Sequence, residues 1–304
     1  MAIKKITVLY GGESSERSVS LESGKYVFQS VKDLGFDAEL IDYPSEFYPE
    51  KFSQEDFIFI ALHGQDGESG ELQNFLQQNN IPYSGSGYKA CKNTWNKDTF
   101  KKILKKNKIP TPNWISVPSL HEYKGDLDDS IFDQFKPFNE IFLKPAEDGS
   151  SIDVFKITCN KDLEDAIANC LDPRRTFILE ESIDYKELTV PILNKRCLPA
   201  VEIKTSESFY NFNAKYVNED TQLTELELSK DEKNKLEKIC LDTLNVTGCS
   251  GWFRVDLMQD RKNNFYVLEV NTAPGMTSHS LFPKSAESIG LSYNDLVQEI
   301  INAK

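Results

Sequence analysis

Gly251-Trp252-Phe253-Arg254-Val255-Asp256-Leu257-Met258 and, a short turn later, Phe265-Tyr266-Val267-Leu268-Glu269-Val270-Asn271 both read as strands of one hairpin. Successive strand side chains point to opposite faces, so Phe253, Val255 and Leu257 share one face and Arg254 and Asp256 the other. In the second strand Tyr266, Leu268 and Val270 are expected on one face and Glu269 and Asn271 on the other. Gln259-Asp260-Arg261-Lys262-Asn263-Asn264 between them is turn-forming. A tight turn about Lys262-Asn263 sets Asp256 opposite Glu269 and Arg254 opposite Asn271, and opposed residues project to the same side of a sheet. Asp256, Glu269 and Asn271 then offer only oxygen atoms, a donor set suited to Mg²⁺ completed by phosphate oxygens. Two ions bridged by Glu269 would clamp such phosphates. The competing reading is an exposed face on which Arg254 pairs with Asp256 or Glu269.

The residues around the hairpin shift that balance. Asn271-Thr272-Ala273-Pro274-Gly275-Met276-Thr277-Ser278-His279-Ser280 is a loop of small polar residues whose backbone N–H groups can face an oxyanion. Ser280-Leu281 can open a short helix whose N-terminus attracts a carboxylate. Upstream, Lys144-Pro145-Ala146-Glu147-Asp148-Gly149-Ser150-Ser151 follows a strand, and its Gly-Ser-Ser can fold over phosphates, with Lys144 and Lys97 supplying positive charge. The spacing is not that of a GxxxxGK[ST] loop, and an ordinary turn is the competing reading. Phe177-Ile178-Leu179-Glu180-Glu181 is an apolar strand ending in acids. It can set an adenine against backbone and Glu180, with Glu187 accepting from ribose, or it is simply a buried strand.

The first hundred residues alternate strand, helix and strand. Ile6–Tyr10, Ala38–Ile41 and Phe57–Leu62 are apolar runs, with helices over Val19–Leu34 and Glu71–Gln78 and a short strand at Tyr83. This pattern predicts an α/β unit with a parallel sheet, whose ligands bind beyond the carboxyl ends of the strands, where Glu16 and His63 fall. For His63 a ligand-facing role and a strand-end hydrogen bond stand equal. A basic helix over Asn96–Lys108 leads to the stiff Ile109-Pro110-Thr111-Pro112. Strands Glu140–Lys144, Val154–Ile157, Phe177–Glu180, Leu188–Leu193 and Ala200–Ile203 and helices Lys161–Cys170 and Lys230–Leu244 follow without strict alternation, an α+β arrangement. The long polar stretch Thr205–Thr221 is expected to be functional, and a helix over Tyr293–Ala303 closes the chain. The expected units are residues 1–96, 97–183 and 184–304.

Composition sets outer limits. The 304 residues carry a net charge of −13, which argues against nucleic-acid binding, since phosphate backbones demand an excess of Lys and Arg. Cys91, Cys159, Cys170, Cys197, Cys240 and Cys249 form no CxxC pair and read as scattered thiols of a reducing compartment. No stretch approaches a membrane span, and the N-terminus has no apolar signal core, so the cytoplasm is the expected location.

Taken together, these segments resemble the ATP-grasp superfamily, and within it the D-alanine–D-alanine ligases. Gly11-Gly12-Glu13-Ser14-Ser15-Glu16-Arg17-Ser18-Val19-Ser20 is similar to the family's first-substrate loop. His63-Gly64-Gln65-Asp66-Gly67-Glu68-Ser69-Gly70 is similar to its histidine-glycine signature, and Pro82-Tyr83-Ser84-Gly85-Ser86-Gly87 leads on to Lys97. Lys144–Ser151 resembles the glycine-rich lid, Ala214-Lys215-Tyr216 the mobile loop, and Arg254–Ser280 the metal and second-substrate region. The order is kept across nearly the whole chain.

The resemblance implies an ATP-grasp fold preceded by a Rossmann-like parallel-sheet domain, and a homodimer. It implies that ATP phosphorylates one D-alanine and that the amine of a second displaces the phosphate. Lys97, Lys144, Ser151, Glu180, Ile183, Glu187 and Lys215 would hold the nucleotide, and Asp256, Glu269 and Asn271 two Mg²⁺ or Mn²⁺ ions. Glu16 would meet the first ammonium, with Ser150 and Tyr216 linking the lid to the site. Arg254 and the Gly275 N–H would face the oxyanion, His63 would lie by the substrate, and Ser280 and Leu281 would take the second carboxylate. In this family Tyr at the position of Tyr216 goes with D-alanine as second substrate and Phe with D-lactate. Glu147, Asp148 and Glu181 place more acid by the nucleotide than the family pattern has. Two other functions remain open on sequence: a ligase of the same superfamily for another acid and amine, and a nucleotide-sensing scaffold that has lost catalysis.

Overall fold

The structure, a computed structural model, describes residue 3 and residues 5–53, 56–121, 140–205 and 222–303. Near the N-terminus, β1 (Lys5–Gly11) lies between β2 (Ala38–Tyr43) and β3 (Asp56–Ile60), parallel to both. Its apolar residues are buried on both faces, as a parallel strand requires. The crossover helix α1 (Arg17–Asp33) covers one face through Val27 and Val31. Tyr83 extends the sheet by a parallel bridge to Ile58. All carboxyl ends therefore open onto one edge, which receives the loops bearing Glu16 and His63. The turn after β1 needs glycine: at φ +82 a Cβ on Gly11 would stand 2.0 Å from Asp42 Oδ1.

Helices α2 (Gln65–Glu68), α3 (Glu71–Gln78), α4 (Tyr88–Trp95) and α5 (Lys97–Lys106) lead away from this edge. The basic helix expected from Asn96 is α5, and Asn96 is its cap, accepting the Thr99 N–H at 2.9 Å. A four-stranded antiparallel sheet follows, built from β4 (Trp114–Val117), β5 (Ile141–Pro145), β6 (Phe155–Ile157) and β7 (Phe177–Glu181) in the order β4-β7-β5-β6. Helix α6 (Asn160–Asn169) packs Leu163 and Ala166 onto its Leu143, Ile157 and Phe177. The short β4 escapes the sequence reading because four residues beside prolines carry little periodicity.

The third sheet runs β11-β10-β8-β12-β13, with β9 on β8. These strands are β8 (Tyr185–Leu193), β9 (Arg196–Cys197), β10 (Val201–Lys204), β11 (Gln222–Glu225), β12 (Trp252–Asp260) and β13 (Phe265–Asn271). Helix α7 (Lys230–Thr247) lies on its core face through Leu236, Cys240 and Leu244. It starts at a Ser229/Glu232 capping box and stops at left-handed Gly248. Helices α8 (Leu281–Ser288) and α9 (Tyr293–Asn302) return to the N-terminal unit, where Leu296, Val297 and Ile300 share a core with Val27 and Val31. Trp252 ties the sheet to that core, with Phe59 at 5.8 Å and Phe282 at 5.5 Å between ring centres.

The hairpin reaches its expected register by an unexpected route. Arg254 stands opposite Asn271 and Asp256 opposite Glu269. The turn, however, spans Arg261-Lys262-Asn263, with Asn263 at φ 61 and Asp260 Oδ1 accepting the N–H groups of Lys262 and Asn264 at 2.8 Å each. Leu257 pairs with Val267, and Leu268 is left over as a bulge. A bulge resets the alternation of side chains. Phe265 and Val267 therefore join Val270 in the core, and Leu268 turns to the opposite side. The expectation that Tyr266, Leu268 and Val270 share one face is corrected accordingly.

Phe253 is fully buried on β12 between α7 and the strands beside it. Phe253→Ala is expected to lower stability by about 3–5 kcal/mol, read as a shift of the urea unfolding midpoint.

Candidate active site

A cavity of about 440 Å³ lies between the second and third sheets. Lys97, Lys144, Ser150, Ser151, Glu180, Ile183, Glu187 and Glu269 line it, together with Phe142, Met258 and Leu268. Six of the residues expected at a nucleotide thus share one hollow. Lys215, the seventh, lies with Tyr216 outside the described residues. Phe177–Glu181 is a strand buried at every position, whose last two residues, Glu180 and Glu181, reach the cavity.

The loop after β5 is a built structure. Ser150 and Ser151 take φ 52 and 58, rare for residues with a Cβ. Arg175, at the foot of β7, grips both ends of the loop, bonding Asp148 Oδ2 at 2.8 Å and the Asp153 carboxylate. Lys97 Nζ donates to the Asp148 carbonyl at 2.6 Å and stands 3.7 Å from Glu269 Oε2. The surplus acids are each answered. Asp148 has Arg175, Glu147 accepts from Asn96 at 2.8 Å, and Glu181 accepts from the Asn113 backbone and side chain at 3.0 and 2.7 Å.

The loop also reaches the N-terminal unit. Ser150 Oγ donates to the Glu16 carboxylate, which is buried. Gly64 and Gly149 press against the same carboxylate; a Cβ on either would stand 2.8 Å from Glu16 Oε2. His63 is buried nearby and bonds the Ala273 carbonyl through Nδ1 at 2.7 Å and Ser23 Oγ through Nε2 at 3.0 Å. A carbonyl only accepts, so Nδ1 carries a proton, and burial lowers the pKa of the ring. Both ring nitrogens are engaged, and the ring fixes the Ala273–Met276 loop to α1. Ser23 completes the tie by accepting the Met276 N–H at 3.1 Å.

On β12, Arg254 grips Asp256 with two bonds, Nε to Oδ1 at 2.7 Å and Nη2 to Oδ2 at 2.8 Å. Thr189, fully buried on β8, donates to the same Oδ1 at 2.5 Å. The Arg254–Asp256 ion pair of the competing reading is thus present, on a face where Asp256 is 8% exposed and the Glu269 side chain 38%. Asn271 Oδ1 accepts the Ala273 N–H at 3.0 Å and so starts the following loop. Gly275 lies tight against Ser280; a Cβ there would stand 2.7 Å from Ser280 Oγ. Ser280 caps α8 without a side-chain bond into the helix; its Oγ instead accepts the Thr277 N–H at 3.0 Å. Leu281 packs on Val201 and Ile203. Among the described residues no three His, Cys, Asp or Glu side chains form a group able to hold a metal by themselves. Asp256, Glu269 and Asn271 supply two carboxylates and an amide oxygen, which fits a hard cation whose other ligands come from phosphate and water.

Three residues at the site escaped sequence reasoning. Met258 continues the Arg254–Asp256 face and was legible by alternation. Leu268 was not, because only the bulge turns it to the cavity. Glu68, within the His63–Gly70 segment, is buried and accepts the Gly64 N–H at 3.0 Å. Burial, reinforced by the charge of Glu16, raises its pKa well above that of an ordinary glutamate.

Glu180 is buried and bonds both Lys101 and Lys144. Burial alone would raise its pKa, but the two ammonium groups bring it down to about 2 from 4.5. A depressed acid stabilises the fold above its unfolded pKa, and that contribution is lost as pH falls from 4.5 toward 2. It amounts to at most about 3 kcal/mol. Urea midpoints measured between about pH 6 and pH 3 should fall less steeply in Glu180→Gln than in the wild-type protein.

Known proteins show the same architecture. Residues 103–302 match the family described as D-ala D-ala ligase C-terminus. The D-alanine–D-alanine ligase of Glaesserella parasuis serovar 5 is 39% identical over 98% of this chain and 97% of its own length. That of Haemophilus ducreyi is 38% identical, over 98% and 97%. The crystal structure of the D-alanine–D-alanine ligase from Bacillus anthracis complexed with ATP superposes with a TM-score of 0.84 at 30% identity, covering 98% of this chain and 96% of that one. With a family match over most of its length and full-length relatives at this identity, the chain belongs to the D-alanine–D-alanine ligase family and has the ATP-grasp fold.

Proposed function

We propose that this chain joins two D-alanine molecules into D-alanyl-D-alanine at the expense of ATP, giving ADP and phosphate, to supply a peptidoglycan precursor. The observation that carries this reading is the joint between two compartments. Lys97, Glu269 and Ser150 line the nucleotide cavity, and Ser150 also bonds Glu16 at the edge of the N-terminal sheet. A phosphate donor and a carboxylate can therefore meet at one place.

A carboxylate is a poor electrophile, so the first D-alanine must gain a leaving group. Its oxygen attacks the terminal phosphorus, ADP departs, and a D-alanyl phosphate results. The amine of the second D-alanine then adds to the carbonyl carbon, and phosphate leaves as the amide forms. Glu16 is assigned to the first ammonium, held in place by Ser150. Arg254 and the Gly275 N–H are assigned to the oxyanion of the addition step, an interaction of the kind worth about 3 kcal/mol. Ser280 and Leu281, at the start of α8, are assigned to the second carboxylate. Lys97, Lys144 and Lys215 neutralise the phosphates, Ser151 bonds them, and Ile183 and Glu187 take base and ribose. Glu180 is assigned to the base side of the cavity, with its carboxylate held by two lysines. Tyr216 favours D-alanine over D-lactate as second substrate.

Asp256, Glu269 and Asn271 would hold two Mg²⁺ or Mn²⁺ ions. When bound, these supply positive charge at the phosphates. Thr189 orients Asp256 and His63 fixes the second-substrate loop. Residues 1–96, 97–183 and 184–304 are the proposed working units, in a homodimer in the cytoplasm that binds neither nucleic acid nor membrane. Among the described residues no helix is long and apolar enough to cross a membrane.

The direct test is phosphate release. It is expected only with ATP, Mg²⁺ and D-alanine together, and the dipeptide should appear by chromatography, with L-alanine and D-lactate as controls. ATP turnover indifferent to D-alanine would sink the substrate assignment. Glu269→Ala should lose several orders of magnitude in turnover; an unchanged rate removes Glu269 from the mechanism. Thr189→Val leaves the Asp256 carboxylate less constrained and should weaken Mn²⁺ binding, read by electron paramagnetic resonance, by about tenfold or more.

A further inference from the structure

Lys101 takes no part in the roles above, yet its side chain is fully buried. A buried ammonium is costly unless its charge and its donors are all met. Here they are. Lys101 Nζ bonds Glu180 Oε2 at 2.5 Å, Thr111 Oγ1 at 2.7 Å and the Pro112 carbonyl at 3.3 Å. The other oxygen of Glu180 accepts from Lys144. One carboxylate therefore answers two cations. Lys101 holds it from behind, on α5, and Lys144 holds it from the cavity wall on β5. A cross-link between α5 and β7 needs one such pair; the second cation, facing the cavity, is beyond what the cross-link requires.

We propose that Lys101 is a positioning residue for the nucleotide: by neutralising Glu180 from behind, it lets Lys144 turn its ammonium to the phosphates in the cavity. The inference rests on the ATP-dependent reading above. Without Lys101, Lys144 is the one ammonium bonded to Glu180. Turning to phosphate would then strand a buried carboxylate, and that cost falls on phosphate binding, not on recognition of the base. Removing Glu180 together with Lys101 abolishes the conflict, since no carboxylate is left to compete for Lys144.

The test is calorimetric binding of ATP, ADP and adenosine, with Mg²⁺ present, to the wild-type chain, Lys101→Met and Lys101→Met/Glu180→Gln. Lys101→Met is expected to weaken ATP and ADP by about ten- to a hundredfold, the scale of one charge-assisted hydrogen bond, with adenosine changed less than about twofold. The double variant should restore the ratio of ATP to adenosine affinity to within about threefold of wild type. Equal weakening of ATP and adenosine, or no weakening, overturns the inference. If Lys101→Met does not fold, the double variant decides: a ratio near wild type supports the inference, and a tenfold fall overturns it. Wild-type chain that fails to bind ATP overturns the proposed function and this inference together. Wild-type chain that binds ATP, beside an unaltered Lys101→Met, overturns the inference alone.

Discussion

Everything at this site hangs on the pairing of β12, which is hydrogen-bonded on one side to β8 and on the other to β13. One slip of register would carry Arg254 and Asp256 to the core face and Val255 to the cavity face. Both neighbours oppose such a slip. On the β8 side Asp256 stands opposite Thr189, whose hydroxyl bonds it, and on the β13 side opposite Glu269. The core face adds Phe253, Val255 and Leu257, all fully buried, which a slip would take out of the core.

From this fixed platform the remaining parts are carried by loops, and each loop is pinned by charge or hydrogen bonds. Arg175 closes both ends of the Asp148–Asp153 segment. His63 and Ser23 fasten the Ala273–Met276 turn to α1. Glu16 is held by Ser150 and crowded by two glycines. The arrangement suits a site that must bring two sheets and an N-terminal edge together: apolar packing fixes the layers, and directional polar contacts fix the loops between them. The same economy explains the buried charges. Asp256 and Glu180 would be costly alone, and each is met by at least two donors.

The pattern of residues made much of this legible. Alternation in the hairpin gave the faces shared by Arg254 with Asp256 and by Glu269 with Asn271, and apolar runs ending in glycine gave the parallel sheet and the edge that carries Glu16 and His63. These signals are local, because a strand's faces and a turn's glycines are set by neighbours along the chain. The reading was weaker where a partner is distant. The bulge at Leu268 follows from a turn of three residues where a tighter one was expected. The roles of Glu68, Thr189 and Lys101 depend on what surrounds them in space: Glu16, Asp256 and Glu180 respectively.

The sequence by itself determined which residue types could do the chemistry, their order along the chain, and the face on which the hairpin presents Arg254, Asp256 and Glu269. Only the tertiary structure decided that His63 bonds Ala273 and Ser23, that Glu180 sits between two lysines, and that Leu268 faces the cavity. The physical reason is that charge state and orientation depend on burial and on partners far apart in sequence. The separation of 36 positions between Lys144 and Glu180 or of 79 between Lys101 and Glu180 leaves no periodic trace, whereas the period of a strand does.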